Sequence, residues 1–353
     1  MKLLFKTLVC SSFLFFSCSD KESIPNVELK TYSFDSETNS SLMFQDGEPQ
    51  EVMTSESRVY EISKVIRVKP IDNKTIEIAN FAPIDLEDIT ITATIEAEGF
   101  HKPIKLFKID KIRAHGKQEI NYPFINNSSL FLNTSNQEVD LSIFKDTGID
   151  PSNIVFNFTG DNEIIQKLKG LHKLKWTIKY HDFDTDNNPD NNWAEDITAK
   201  DIRRFTGLMI NLGVVFASDN FKNEFINENI IGNDGTTALT ENEKKGAYNI
   251  ILNKTRYNCG KVVNVSGLGG GATFGLAEHV LRDYIRKETG FITAHEIGHT
   301  IGYNHSSNMT YPHEVDGVST GISPVTTRIM NQFFENDLYP VTLENYYLSS
   351  NFE

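Results

Sequence analysis

The chain has 353 residues, enough to bury a sizeable core and to form two domains. Acidic residues outnumber basic ones 48 to 34, a net charge of -14, and that balance repels nucleic acid and anionic lipid, which argues against a nucleic-acid partner. A hydrophobic fraction of 39% is ordinary for a soluble globular protein.

In chain order, the first segment is MKLLFKTLVCSSFLFFSC, with Lys2 and Lys6 at its start, an apolar run to Phe16, and then Ser17-Cys18. The run is too short to span a bilayer, so residues 1–17 read as a secretion signal. The position of Cys18 resembles a bacterial lipoprotein box, although Phe15 and Phe16 depart from its usual Leu and small residue. The resemblance implies that Cys18 becomes the first mature residue and carries lipid. Several acyl chains on one cysteine make a stable anchor, because each buried methylene contributes roughly 0.8 kcal/mol. Ser19-Asp20-Lys21-Glu22 resembles the acidic tether that directs some lipoproteins outward. It implies a site at the outer surface of the bacterial outer membrane, with the lipid as the sole membrane contact. Cys10 would leave with the signal, so only Cys259 stays in the folded part and no intramolecular disulfide is expected. In RYNCGK it reads as an inert, buried thiol.

Residues 18–55 are rich in Ser, Glu, Asn and Asp with few periodic apolar positions, and are expected to form a tether. From 56 to 182 the pattern is β. RVYEISKVIRV, KTIEIAN, DITITATIEAEG, PIKLFKID, SLFLN, EVDLSI, NIVFNF and HKLKWTIKY alternate or cluster apolar residues between turn-forming Asn, Gly, Pro and Asp. Short strands at this spacing predict an all-β, sandwich-like domain, interrupted by one helix, DNEIIQKLKG. HDFDTDNNPDNNW then breaks the pattern. Asp182, Asp184 and Asp186 have the alternate spacing of a calcium loop, but no glycine stands at the sixth position and Trp193 replaces the glutamate at the twelfth. A polar interdomain linker is the expectation, with Ca2+ a weakly supported alternative.

A second domain is expected over 183–353, where the periodicity becomes helical. Ile202, Phe205, Met209 and Leu212 recur at spacings of three and four, which predicts a buried helix face. AYNIILN and KVVNV read as strands, and LAEHVLRDYIRK as a helix. Between them lies GLGGGATFG. Gly267, Gly269 and Ala272 loosely fit a dinucleotide fingerprint, but no alternating βα pattern follows. The better expectation is a rim where main chain lies close to another chain.

The densest signal is HEIGHTIGYNH, which places three of the nine histidines within eleven residues. Thr289 is a candidate N-cap, and Phe291 to Ile301 has helical periodicity. On a helix His295 and His299 project from one face a turn apart, as two imidazoles sharing one ion must. Glu296 lies roughly 100° round from His295, close enough to reach a water on the ion without ligating it. Ala294, Ile297, Gly298 and Ile301 fall on the far side and can pack inward. Gly302 can take the left-handed conformation that reverses the chain, so that His305 swings back to the ion. Three neutral imidazoles leave a fourth position open, which is the arrangement of a catalytic zinc site. A chance match at all five positions is on the order of 10⁻⁵ over the chain, so coincidence is a poor account. His181, His279 and His313 read as surface or structural residues.

HEIGHTIGYNH matches the HExxHxxGxxH signature of the metzincin zinc peptidases, and with the following HSSN it looks most like the bacterial HEIGH metallopeptidases. The resemblance covers about 285–350. It implies an α+β fold in which a metzincin-like zinc peptidase domain follows the sandwich-like one. His295, His299 and His305 would hold one Zn2+, and Glu296 would be the general base for hydrolysis of a protein or peptide substrate. Metzincins also carry a methionine turn beneath the zinc. Met330 is preferred, since Met309 follows His305 by only four residues. Met309 has the local look of Met-x-Tyr, which makes Tyr311 a secondary candidate ligand. An extended substrate is expected along an edge strand near 261–275. The competing expectation is a non-enzymatic surface-binding lipoprotein with a vestigial zinc site. The intact ligand set and Glu296 count against it.

Overall fold

The computed structural model describes residues 27–35, 40–97, 99–100, 102–184, 191–285 and 290–352. The fold is mixed α and β. Signal residues 1–17, Cys18, Asp186 and Thr289 lie outside the described residues. Among those described, no helix is long and apolar enough to cross a membrane.

The N-terminal half is built on the predicted alternation. In Thr75–Asn80 the residues Ile76 and Ile78 point inward while Thr75 and Glu77 face outward, and Ile104–Ile112 alternates in the same sense over most of its length. A central antiparallel pair, Leu86–Ile95 with Ile104–Ile112, anchors one sheet, flanked by Ile154–Thr159 on one side and by Leu130–Asn133 and Glu138–Asp140 on the other. A second sheet runs Ser41–Leu42, Gly116–Asn121, Thr75–Asn80, Ile66–Pro70, antiparallel throughout. The buried faces of both contribute to one continuous core that extends into the C-terminal half.

The described part of the segment expected as a tether, 18–55, contains structured elements. Thr31–Phe34 pairs parallel with Ile104–Ile112, Ser41–Leu42 joins the second sheet, and Gln50–Met53 is a helical turn. Phe34, Met43, Phe44 and Met53 are buried. Elements of four residues or fewer among Ser, Glu and Asn leave no periodicity to read.

A third sheet supports the C-terminal half, in the order Gly267–Gly270, Thr273–Ala277, Arg256–Val262, Thr177–Tyr180, Tyr60–Glu61. Its middle strands are parallel, and the glycine strand at its edge is antiparallel to Thr273–Ala277. The boundary expected at 182/183 therefore falls too late for this sheet, because Tyr60–Glu61 and Thr177–Tyr180 pair into it from the N-terminal side. Gly267–Gly270 is an edge strand, not the strand-to-helix loop of a dinucleotide site.

The helix predicted from Ile202, Phe205, Met209 and Leu212 runs Ala199–Ala217, started by a capping box between Thr198 and Asp201. It is buried nearly all round. Arg203 uses that burial to tie distant segments, donating to the Phe44 carbonyl at 2.6 Å, to Asp46 at 2.8 Å and to Asn351 at 2.9 Å. AYNIILN, expected as a strand, lies in the helix Glu241–Leu252. A short apolar run is ambiguous by itself, and the capping box of Thr240 with Glu243 decides it locally. The helix expected at LAEHVLRDYIRK is described over Glu278–Asp283, with Leu276 and Ala277 still in the preceding strand.

Candidate metal centre

The helix Gly290–Thr300 packs between the glycine edge strand and the helix Ile322–Glu335. Its inner side is Ala294, Ile297 and Gly298, all buried. Its other side carries His295 and His299, whose rings lie 4.7 Å apart with Nε2 atoms separated by 3.1 Å.

The helix ends as its glycine predicted. Gly302 adopts φ +97°, and the Gly302 N–H donates to the His299 carbonyl at 3.1 Å while the Tyr303 N–H donates to the Gly298 carbonyl at 3.0 Å. These are the two bonds of a Schellman stop. The stop does more than reverse the chain, because it turns the Tyr303 carbonyl onto His299 Nδ1 at 2.8 Å. A carbonyl only accepts, so Nδ1 carries the proton and Nε2 keeps the lone pair with which an imidazole can bind an ion.

After the reversal His305 returns to the other two rings, 4.7 Å from His299 and 5.4 Å from His295 by centroid. One nitrogen from each of the three lies within 4.8 Å of the others, and this is the one such group among the described residues. Bonds of about 2.0–2.1 Å to a tetrahedral ion put its nitrogen donors roughly 3.4 Å apart. The three imidazoles are therefore near the span that one small divalent cation needs. Burial pushes the His295 imidazole down to about 4, with His299 and His305 adding to the effect, and burial lowers His299 as well. Both are thus held in the neutral form that ligates.

Glu296 stands beside this group. Its carboxylate oxygen is 4.0 Å from His295 Nε2, outside bonding distance, and the residue is 4% exposed. Burial pushes its carboxyl up to about 7. A cleft of about 750 Å³ opens over the centre, with Val265, Leu268, Phe291 and Ile292 as apolar walls and Tyr311 at its rim. The Tyr311 ring faces His295 at 4.5 Å and His305 at 4.9 Å.

The methionine preference does not stand. Met330 is in the middle of the helix Ile322–Glu335, so it forms no turn. Met309 sits in the turn that follows His305, fully buried, with its carbonyl oxygen so close to Gly298 that a Cβ there would lie 1.8 Å away. Four residues suffice because the turn passes directly beneath the helix.

Other histidines stay apart. His181 stacks on Phe183, and His279 and His313 join no metal-spaced group. In the described part of the Asp-rich segment, Asp182 accepts from Gln50 and from the Asp184 N–H at 3.0 Å, and Asp184 Oδ1 accepts from Asn191 at 3.5 Å. Cys259 is fully buried in the central strand, and burial pushes its thiol up.

Several residues support this turn; Ser307 and Asn308 lie in the HSSN stretch already noted in the sequence, whereas Asn233 gave no signal there. Asn233 clamps the reversed turn, Ser307 Oγ donates to the Ile231 carbonyl at 2.6 Å, and Asn308 accepts from the Ile231 N–H at 2.6 Å and donates to the Asn229 carbonyl at 2.8 Å. Within HSSN, Ser307 and Asn308 are buried and join the turn that follows Gly302 to the stretch 229–231. Compared with protein families, curated proteins and solved structures, the chain matches none.

Proposed function

We propose that the chain is a zinc-dependent endopeptidase of the metzincin type, acting on protein or peptide substrates. In this reading it is exported by residues 1–17 and anchored through lipid on Cys18 at the surface of the bacterial outer membrane. The observation that supports it most is the meeting of three imidazole nitrogens within 4.8 Å beside a buried carboxylate on the floor of a cleft. Zinc suits an all-imidazole donor set with an open position. When bound, it would polarise a substrate carbonyl and lower the pKa of water towards about 7.

The chain's own groups do the rest. Glu296 takes a proton from the attacking water and returns it to the leaving amine. His299 is held in one tautomer by the Tyr303 carbonyl. The edge strand Gly267–Gly270 offers main-chain groups to which an extended peptide adds as a further strand. Val265, Leu268 and Phe291 accept apolar side chains and keep water from the site. Tyr311 is the secondary candidate for an added ligand.

The test is metal analysis of the secreted form together with an unbiased peptide-library digest. Wild type should carry zinc and cleave, while Glu296→Gln should keep zinc and lose about 10²–10⁴ of turnover. Undiminished cleavage by that variant removes Glu296 as the base. A zinc-free, inactive wild type would leave the non-enzymatic surface-binding reading in its place.

A further inference from the structure

We propose that Gly267 and Gly269 are positioning residues for Glu296, and that the edge strand holds the carboxylate against the histidine group by main-chain contact. The inference rests on the peptidase reading for its catalytic consequence and on packing for the rest.

Alternate residues of a strand point to the same face, and positions 267 and 269 both face the helix Gly290–Thr300. A Cβ on Gly267 would lie 2.4 Å from Glu296 Oε1 and 2.7 Å from its Cγ. A Cβ on Gly269 would lie 2.7 Å from Oε2 and 2.6 Å from the Glu296 carbonyl oxygen. Ordinary contact begins near 3.4 Å, so either side chain needs the carboxylate to move. The strand is tied to the sheet. Gly267 is paired with Leu276 and Gly269 with Phe274, and both of those partners are fully buried.

Conformation does not explain these two glycines. Gly270 ends the strand at φ +158° and Gly271, at φ +53°, enters the turn to the next strand, whereas Gly267 and Gly269 have no positive φ and alanine would accept their backbone. What they lack is space for a side chain. Glu296 is consequently fenced by strand backbone on one side and by His295 at 4.0 Å on the other. The carboxylate is held by excluded volume.

Gly267→Ala is the informative variant, because the atoms it meets belong to a side-chain end. Gly269→Ala also strikes backbone and should be the more damaging. Gly246→Ala, whose Cβ meets nothing within 4 Å, is the control. With zinc content unchanged, Gly267→Ala should lower kcat by about 10²-fold, as expected for a misplacement near 1 Å, with KM nearly constant. Glu296→Ala removes the three atoms that the new Cβ meets most closely, so adding Gly267→Ala to it should cost its residual turnover less than about threefold by the logic of a double-mutant cycle.

A second cycle needs neither zinc nor substrate. In the metal-free protein, Gly267→Ala should lower the urea midpoint of wild type but leave that of Glu296→Ala almost unmoved, even if the single variant barely folds. Equal losses in both backgrounds would overturn the contact, and an undiminished kcat would overturn the catalytic role. If wild type cleaves nothing, the peptidase reading falls, and the metal-free cycle alone decides whether the strand holds the carboxylate.

Discussion

Between Ile66 and Thr159 the buried side chains are mostly apolar, with Ile76, Ile78, Ile89, Ile91 and Leu106 as the pattern. Between Thr293 and Thr326 the buried set changes character and includes Thr300, Ser307, Asn308, Thr310 and Ser323 beside His295 and Glu296. A buried polar group without a partner costs roughly 1–3 kcal/mol. The second region is therefore stable only because partners are supplied. Thr300 Oγ1 donates to the Ile297 carbonyl at 2.8 Å, Thr310 Oγ1 to the Ser307 carbonyl at 2.8 Å, and Ser323 Oγ to the Phe291 carbonyl at 3.1 Å. Apolar packing fills space and tolerates small shifts. A hydrogen-bonded bracket fixes positions, which is what the proposed three-histidine centre would demand of the layer beneath it. The difference teaches where the chain gives up easy stability for geometry.

The largest expected effect breaks the apolar rule in the N-terminal half itself. His115 is fully buried against Phe44 and Tyr347, at 5.4 and 6.3 Å between ring centroids. Burial, then the Arg203 and Arg58 charges, push its imidazole down to about 3. The folded value is below the unfolded one of about 6.5, so the unfolded chain binds the proton first as pH falls. The stability from this residue is complete above about pH 6.5 and is lost progressively towards pH 3. At about 1.4 kcal/mol per unit the loss is on the order of 3–5 kcal/mol. His115→Asn tolerates the residue's φ of +53° and cannot titrate in this range. Urea midpoints at about pH 7, 5 and 4 should show a shallower acid decline for the variant than for wild type. Parallel declines would mean that His115 is not what acid attacks.

The next effect sharpens the comparison from the other side. Asn308→Ala removes the acceptor for the Ile231 N–H and the donors to Asn229 and Thr320. Losing that bracket should destabilise by about 1–3 kcal/mol. Hydrogen exchange should speed up at Ile231 and across the turn after Gly302, while amides of Leu86–Ile95 stay as protected as in wild type. Exchange that rises evenly over both halves would show that the bracket serves general stability only.

The same contrast explains what was legible in the sequence. HEIGHTIGYNH was readable because its geometry is local: helix periodicity aligns His295 with His299, and one glycine turns the chain to His305. Strands such as Thr75–Asn80 were readable because alternation marks a half-buried strand wherever it pairs. What long-range pairing decides was not. Thr31–Phe34 is a strand only because Ile104–Ile112 lies beside it, and Thr177–Tyr180 joins the sheet of the later half through Arg256–Val262. Met330 over Met309 was an argument from loop length, and it failed because the turn lies flush under a glycine. Asn233 carried no mark at all, since an asparagine in an exposed loop looks the same whether or not a distant turn leans on it.

Asn233 also gives the smallest prediction and the most selective one. It is exposed, so its bonds compete with water and contribute little to folding. Its Nδ2 donates to the Gly302 carbonyl at 3.0 Å and its Oδ1 accepts from the Asn304 N–H at 2.9 Å, bracketing the segment that carries His305 back to the centre. Asn233→Ala should therefore shift the urea midpoint barely, yet weaken zinc about tenfold, at the low end of what losing a ligand's supporting contact costs. Competition titration against a chromophoric chelator measures it. The two readouts must separate for the idea to hold: a stability loss with unchanged zinc affinity would assign the placing of His305 to the Schellman stop alone. A tenfold weakening at constant stability would instead show that the reversal needs a clamp from 69 residues upstream of Gly302.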